Sequence, residues 1–208
     1  MKTVLLVHSP DAAFLAGLPA LLRDRPWAEH ASRIAVQLPV APPAVSAAAP
    51  PCDAVIEIWS EEPVAALVAA DAALAGAWLD IRISDEVVGK HGSGAPPPGV
   101  TPGLSQLSFI EAIASLPRAE AERHWSEHIP LANAVHVGME RYVQDRLSPA
   151  WEGSAPWFGI AHLHFPDEAA LRDGLFRSQE DIDLIVADVA EFVASHATIT
   201  AIEHVVKG

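Results

Sequence analysis

Two stretches decide how this chain is read: Asp53-Ala-Val-Ile-Glu-Ile-Trp-Ser60 and Phe158-Gly-Ile-Ala-His-Leu-His-Phe165. Each is a short run of strand-forming residues that leads into an Ala-rich helical segment. They lie 105 positions apart. Upstream, Arg33-Ile-Ala-Val-Gln37 answers to Arg141-Tyr-Val-Gln144, with the register out by one residue. A repeat this long points to a duplicated domain rather than a solenoid of short units. The copies differ in their chemistry, because the second half carries seven of the ten histidines.

Working outward, the pattern predicts strands at 3–8, 33–40, 54–59 and 79–88, with helices at 11–23 and 61–76. Residues 41–51 are rich in Pro and Ala and read as a loop. Residues 92–103, Gly-Ser-Gly-Ala-Pro-Pro-Pro-Gly-Val-Thr-Pro-Gly, read as a linker. The order then repeats: strands at 107–114, 141–147, 157–165 and 198–206, a helix from Pro117 to about residue 135, and a helical stretch at 167–193 broken near Ser178. This divides the chain into 1–91, the linker 92–103, and 104–208. The expected fold class is α+β: two tandem ferredoxin-like βαββαβ units, packed sheet to sheet so that each covers the other's apolar face.

Composition narrows the partners. Half of the 208 residues are hydrophobic, which suits a well-cored globular protein. A net charge of −14 argues against nucleic acid and against anionic membranes. No apolar window is long enough to span a bilayer, and the opening run to His8 is too short for a signal peptide. The single cysteine, Cys52, excludes an internal disulfide and suits a reducing compartment, so a cytoplasmic location is expected. There is no Gly-rich nucleotide-binding turn and no Gly-x-Ser-x-Gly elbow.

The second half resembles the EthD domain of the dimeric α+β barrel superfamily. The residues that carry the resemblance are Arg123-His-Trp-Ser-Glu-His-Ile-Pro-Leu131, Arg141-Tyr-Val-Gln-Asp-Arg146 and Gly159-Ile-Ala-His-Leu-His-Phe165. The first half is similar mainly through Asp53 to Trp59. What the resemblance implies is an intramolecular pairing of two such domains, chemistry without a cofactor, and a small aromatic, polyketide-like or lactone-like substrate.

The candidate site residues follow. His124 and His128 are spaced i,i+4 on one helix, with Trp125 beside them. The EthD-like motif places a histidine at His128, which makes it the expected general acid/base. A helix histidine with a structural hydrogen bond is the plainer alternative, and for His124 the better one. His162 and His164 share one face of a strand, where the first copy has Glu57 and Trp59. If that face meets the helices, His162 or His164 partners His128 in one pocket. Tyr142 and Gln144 share a strand face and suit the orientation of a substrate carbonyl or hydroxyl. Glu111, inside an apolar strand, is a candidate partner for an imidazole, with edge exposure as its alternative. Trp151 and Trp157 read as core packing before an aromatic wall. The histidines also raise Zn or Fe, although the His-Glu-x-x-His order is absent, and no metal or cofactor is expected.

The expected function is therefore a cofactor-independent lyase or isomerase that works by proton transfer. The alternatives are a non-catalytic binding or accessory protein and a cofactor-free monooxygenase. The expected partner is a small-molecule substrate, and the expected state is a monomer with an internal pseudo-dimer or a homodimer.

Overall fold

The computed structural model describes residues 1–41 and 49–208. Most of the loop expected over 41–51 lies outside the described residues. The chain runs β1 (Lys2–His8), α1 (Ala12–Leu21), β2 (Ala31–Ala41), β3 (Ala54–Ser60), α2 (Ala65–Ala69), β4 (Trp78–Lys90) and β5 (Gly99–Val100). It continues with β6 (Leu104–Ala112), α3 (Arg118–Glu127), α4 (Ile129–Val135), β7 (Arg141–Leu147), β8 (Gly159–Phe165), α5 (Glu168–Gly174), α6 (Gln179–Val189) and β9 (Val193–Lys207). Among the described residues, no helix is long and apolar enough to cross a membrane.

The strands correct the expected fold. They do not form two ferredoxin-like sheets stacked face to face. They form one antiparallel sheet in the order β2-β3-β1-β4-β7-β8-β6-β9, closed by a β2–β9 pairing into an eight-stranded barrel. The seams run from Ser84↔Leu147 to Lys90↔Tyr142 and from Ile34↔Lys207 to Ala41↔Thr200. The physical reason lies in the edges. Two separate sheets would each expose two rows of unpaired backbone groups, and closure pairs them all. The long strands β4 and β9, of 13 and 15 residues, provide the extra reach. The two-residue β5 lies inside the expected linker and pairs with Val205 and His204.

The helices are short and lie outside the barrel. Asp11 caps α1 by accepting from the Ala13 and Phe14 amides at 2.8 and 3.0 Å. Ser178 caps α6, which is why the helical stretch breaks there. The helix expected over 61–76 shrinks to α2 and a 3₁₀ turn at Ala72–Leu74. Asp71 is the cause: its carboxylate accepts from the Ala73 amide and the Trp27 indole, which offers the backbone an exit from the helix.

Alternation sorts each strand into a lumen face and a helix face. On β1, Leu5 and Val7 pack outward with Leu18 and Leu22, and Val4 and Leu6 point inward. On β8 the faces are the reverse of those expected. Ala161, Leu163 and Phe165 pack outward with Trp125 and Leu171, while Ile160 joins the inner core. Glycine is required at 159 because the Trp125 indole closes on its backbone. A Cβ added there would stand 2.4 Å from the indole and 2.6 Å from the Asp145 carbonyl oxygen. The inner core, with Val55, Leu107, Phe109, Leu147 and Ile199, plugs one end of the barrel.

Gly159→Ala should therefore cost about 1–3 kcal/mol, because neither the ring nor the backbone can retreat. Gly17→Ala, in α1 with nothing within 4 Å of the new Cβ, should instead gain up to about 1 kcal/mol. Denaturant unfolding of the two variants checks both signs.

Candidate functional site

The end of the lumen opposite the apolar plug is polar, and it encloses a cavity of about 260 Å³. Lys2, the first residue of β1, is buried there. Its ammonium lies 2.7 Å from Glu57 Oε1, 2.7 Å from Asp145 Oδ2 and 3.0 Å from Glu86 Oε2. It also stands 4.5 Å from the centre of the Trp59 ring, whose N–H donates to Glu86 at 3.1 Å. The carboxylates come from β3, β4 and β7, so only the closed barrel assembles this cluster.

Its electrostatics follow from the geometry. Burial opposes the Lys2 charge, but Asp145, Glu57 and Glu86 outweigh it and hold the ammonium far above the ordinary lysine range. Burial also penalises ionised Glu57, yet Lys2 and the His162 ring keep its carboxyl well below the usual value. Asp145 goes the other way. Burial raises it, Lys2 opposes that, and the nearby Glu57 charge adds to it. One ammonium thus holds Glu57 ionised, while Asp145 is displaced toward its protonated form.

His162 and His164 project into the same lumen from β8, and their hydrogen bonds settle the tautomers. The Pro102 carbonyl can only accept, so His164 Nε2, at 3.0 Å, carries the hydrogen. Burial, then the charges of Arg141 and His162, lower His164 to about 4, so its ring is neutral and Nδ1 is a lone pair. Ser105 Oγ, 3.3 Å away, donates to that lone pair. The same oxygen accepts from His162 Nε2 at 3.0 Å. In the neutral ring, His162 Nδ1 is then the nitrogen without a hydrogen, on the cavity wall and 3.7 Å from Glu57 Oε1.

A second layer lies at the cavity mouth. Glu203 accepts from Arg33 at 3.2 Å and from Arg141 at 3.0 Å, and its other oxygen accepts from Thr101 at 2.8 Å. Burial raises the Glu203 carboxyl, but Arg141, His162 and Arg33 bring it below the ordinary value. Gln37 donates to Glu57 at 2.8 Å and to Glu203 at 3.4 Å, which ties the two layers together.

The structure separates the other expected site residues from this cavity. His128 lies outside the barrel, where its Nδ1 meets Asp188 Oδ2 at 2.6 Å and ties the α3–α4 corner to α6. It therefore does not join His162 or His164, and the sheet stands between them. Tyr142 and Gln144 face the helices: Gln144 donates to the Trp125 carbonyl at 2.6 Å and to the Tyr142 hydroxyl at 3.0 Å. Burial pushes the Tyr142 phenol up to about 12. Trp125 is buried with them in the helix–sheet layer. His124 is on the outer surface of α3 beside Arg123, and Glu111 accepts from Ser195 at 2.6 Å in an exposed position where β6 pairs with β9. None of these lines the cavity. Among the described residues, no group of three or more His, Cys, Asp or Glu is arranged to hold a metal ion.

The residues missed in the sequence are Lys2, Glu86, Asp145, Glu203, Ser105 and Arg33 as site members. A signal existed. Lys2 shares its strand face with Val4 and Leu6, and Glu203 with Ile199, Ala201 and Val205, so each is a charge on a largely apolar period-two face.

No family model matches the chain, and no curated protein matches it in sequence. By structure it is similar to an anthrone oxidase-like protein at 14% identity, covering 100% of this chain and 94% of the other with a TM-score of 0.65. It is also similar to a candidate monooxygenase from Lactobacillus acidophilus NCFM at 9% identity, over 97% of this chain and 92% of the other, TM-score 0.54. A variant chlorite dismutase from Candidatus Nitrospira defluvii matches at 10% identity over 97% and 90%, TM-score 0.53. At such identities the likeness is one of fold. These neighbours are dimeric α+β barrels, the superfamily that the sequence resembles.

Two outcomes test the cluster. Lys2→Met strands buried carboxylates and should cost about 3–5 kcal/mol near neutral pH. With the ammonium gone, Glu57 titrates upward, so the folded variant takes up protons and its deficit should shrink as the pH falls from about 7 to 5. His164 has its folded value lowered from 6.5 to about 4. Its share of stability is complete above the unfolded value and is lost as the pH falls toward the folded one. Denaturant unfolding from pH 7 to 4 should show a shallower loss in His164→Gln than in the parent, and equal slopes would remove His164 as the cause.

Proposed function

We propose that this chain is a cofactor-free enzyme that deprotonates a small molecule in the polar end of the barrel, with His162 as the general base. One observation carries the reading: the neutral His162 ring, with Nε2 donating to Ser105, presents its Nδ1 lone pair to the lumen cavity, beside a carboxylate held ionised. When Nδ1 takes a proton from the substrate, the ring becomes an imidazolium 3.7 Å from Glu57 Oε1, and the two form an ion pair. His164 and Ser105 act as positioning residues, since the chain from Pro102 through both of them fixes which nitrogen is free. Trp59, Val88 and Val143 supply apolar wall for an unsaturated or aromatic skeleton. Re-addition of the proton at another carbon makes the reaction an isomerisation, and loss of a leaving group makes it a lyase reaction.

The fold neighbours favour a second reading that shares the first step. A carbanion next to a carbonyl reacts with O2 without a cofactor: a CH2 group becomes C=O, one oxygen atom is retained and the other leaves as water. The anthrone oxidase-like and monooxygenase neighbours support this at the level of fold. In both readings the chain divides at 92–103 into two parts of common origin, the second of them EthD-like. In support, Glu57 and His162, 105 positions apart, meet in the lumen.

Anthrone serves as the probe. Its CH2 exchange in D2O is followed by NMR and its O2 uptake by electrode, with melting temperatures measured alongside. His162→Ala should lower the exchange rate by about 10²–10⁴. Ser105→Ala should lower it less and alter its pH profile, and Ser105→Thr should recover both. His128→Ala should keep the rate while losing stability. Exchange that proceeds equally in His162→Ala at an unchanged melting temperature would assign the base elsewhere. O2 uptake coupled to exchange selects the oxygenase reading, and exchange alone the isomerase or lyase.

A further inference from the structure

We infer that the ligand of the lumen is itself an anion, an aromatic or conjugated carboxylate, whose negative group is held at the cavity mouth by Arg33, Lys90 and Arg141. This rests on the proposed function for the place of the reacting carbon and deepens it by naming the substrate class. The charge distribution supplies the first argument. The chain as a whole carries −14, yet the cavity mouth is cationic. Arg33 and Arg141 share one carboxylate oxygen, Glu203 Oε1, at 3.2 and 3.0 Å. The other Glu203 oxygen is taken by Thr101. Lys90 bonds the Met139 carbonyl, a neutral group. Arg33, Lys90 and Arg141 thus have one ion-pair carboxylate between them, Glu203. The remaining carboxylates that line the cavity, Glu57 and Glu86, are bound to Lys2.

The second argument is a donor without a partner. Arg33 Nε is buried and has no hydrogen-bond partner among the described residues, and Arg33 lines the cavity. A buried guanidinium N–H left unsatisfied is costly, and a ligand oxygen would satisfy it. The guanidinium is held by a cation–π contact, with its carbon 4.8 Å from the Trp59 ring centre. An arginine held against an aromatic ring is preorganised for a planar carboxylate.

The third argument is the mixed character of the wall. Trp59, Val88 and Val143 lie beside the cations, and His162 lines the same cavity. A ligand that matches this wall carries an anionic group on a flat apolar frame with an acidic hydrogen. The field of the mouth would also draw such an anion past the acidic outer surface.

Salicylate and its neutral amide, salicylamide, separate the charge from the ring. Isothermal titration calorimetry at low salt should show salicylate binding the parent protein at least about tenfold more tightly than salicylamide, an advantage that added salt reduces. Lys90→Met and Arg33→Met should each weaken salicylate about tenfold, while Arg23→Met, on the outer surface, should leave it unchanged. Arg33→Met releases a Glu203 contact, so its melting temperature is compared, and Lys90→Met, which gives up only a carbonyl contact, provides the independent arm. Equal affinity for the two probes, no binding of either, or salicylate binding unaffected in both mouth variants overturns the inference. Tight, mouth-dependent binding together with failure of every deprotonation assay would retain the anion site and remove the catalytic reading. Turnover of neutral molecules with no preference for anions would do the reverse.

Discussion

Closure of the sheet is the constraint on which everything else depends. The β4–β7 and β2–β9 seams convert two sets of four strands into one continuous wall, and a closed wall has an inside. Eight strands give an interior just wide enough to be filled by side chains or to hold one small ligand. This barrel does both. One end is packed solid by Val4, Leu6, Phe109 and Ile160, and the other keeps a polar cavity. Burial of so many charges is tolerable only because strands on every side of the lumen contribute a partner. Lys2 reaches carboxylates on three different strands, and Glu203 gathers donors from β2, β7 and the segment before β6.

The two halves contribute unequally to that cavity. The first half supplies the Lys2 ammonium and the Glu57 carboxylate, and the second supplies the imidazoles. In the proposed reading His162 acts as the base, with Glu57 kept ionised by Lys2 and the ring held by Ser105. Neither half contains the full set. The site is therefore a property of the pairing, and it lies on the opposite side of β8 from the helices that carry His128 and Trp125. Those helix residues hold the outer layer: Trp125 on Gly159, His128 on Asp188, Gln144 on the α3 backbone.

A good part of the local structure was legible in the residues. The strands around Glu57 and His162, the caps at Asp11 and Ser178 and most of the order of elements follow from short-range pattern, because capping and period-two alternation act over a few residues. His162 and His164 both find hydrogen-bond partners in the lumen, as paired imidazoles in a fully buried strand require. The direction in which they point was not legible. Gly159-Ile-Ala-His-Leu-His-Phe165 is buried on both faces, so alternation of polar and apolar residues could not tell lumen from helix side.

By itself, then, the sequence determined the elements, their caps and a set of chemically suspicious residues, because those depend on neighbours within a turn or a strand. Tertiary structure decided the rest. Whether four strands stop at their edges or join four others depends on backbone groups that every residue shares, so no side-chain pattern announces the seams. Lys2 reads as an ordinary charged residue at the start of an apolar strand until Glu57, Glu86 and Asp145 converge on it from 55 to 143 positions away. Charge compensation in a buried site is a property of distance in space, and only the closed barrel sets those distances.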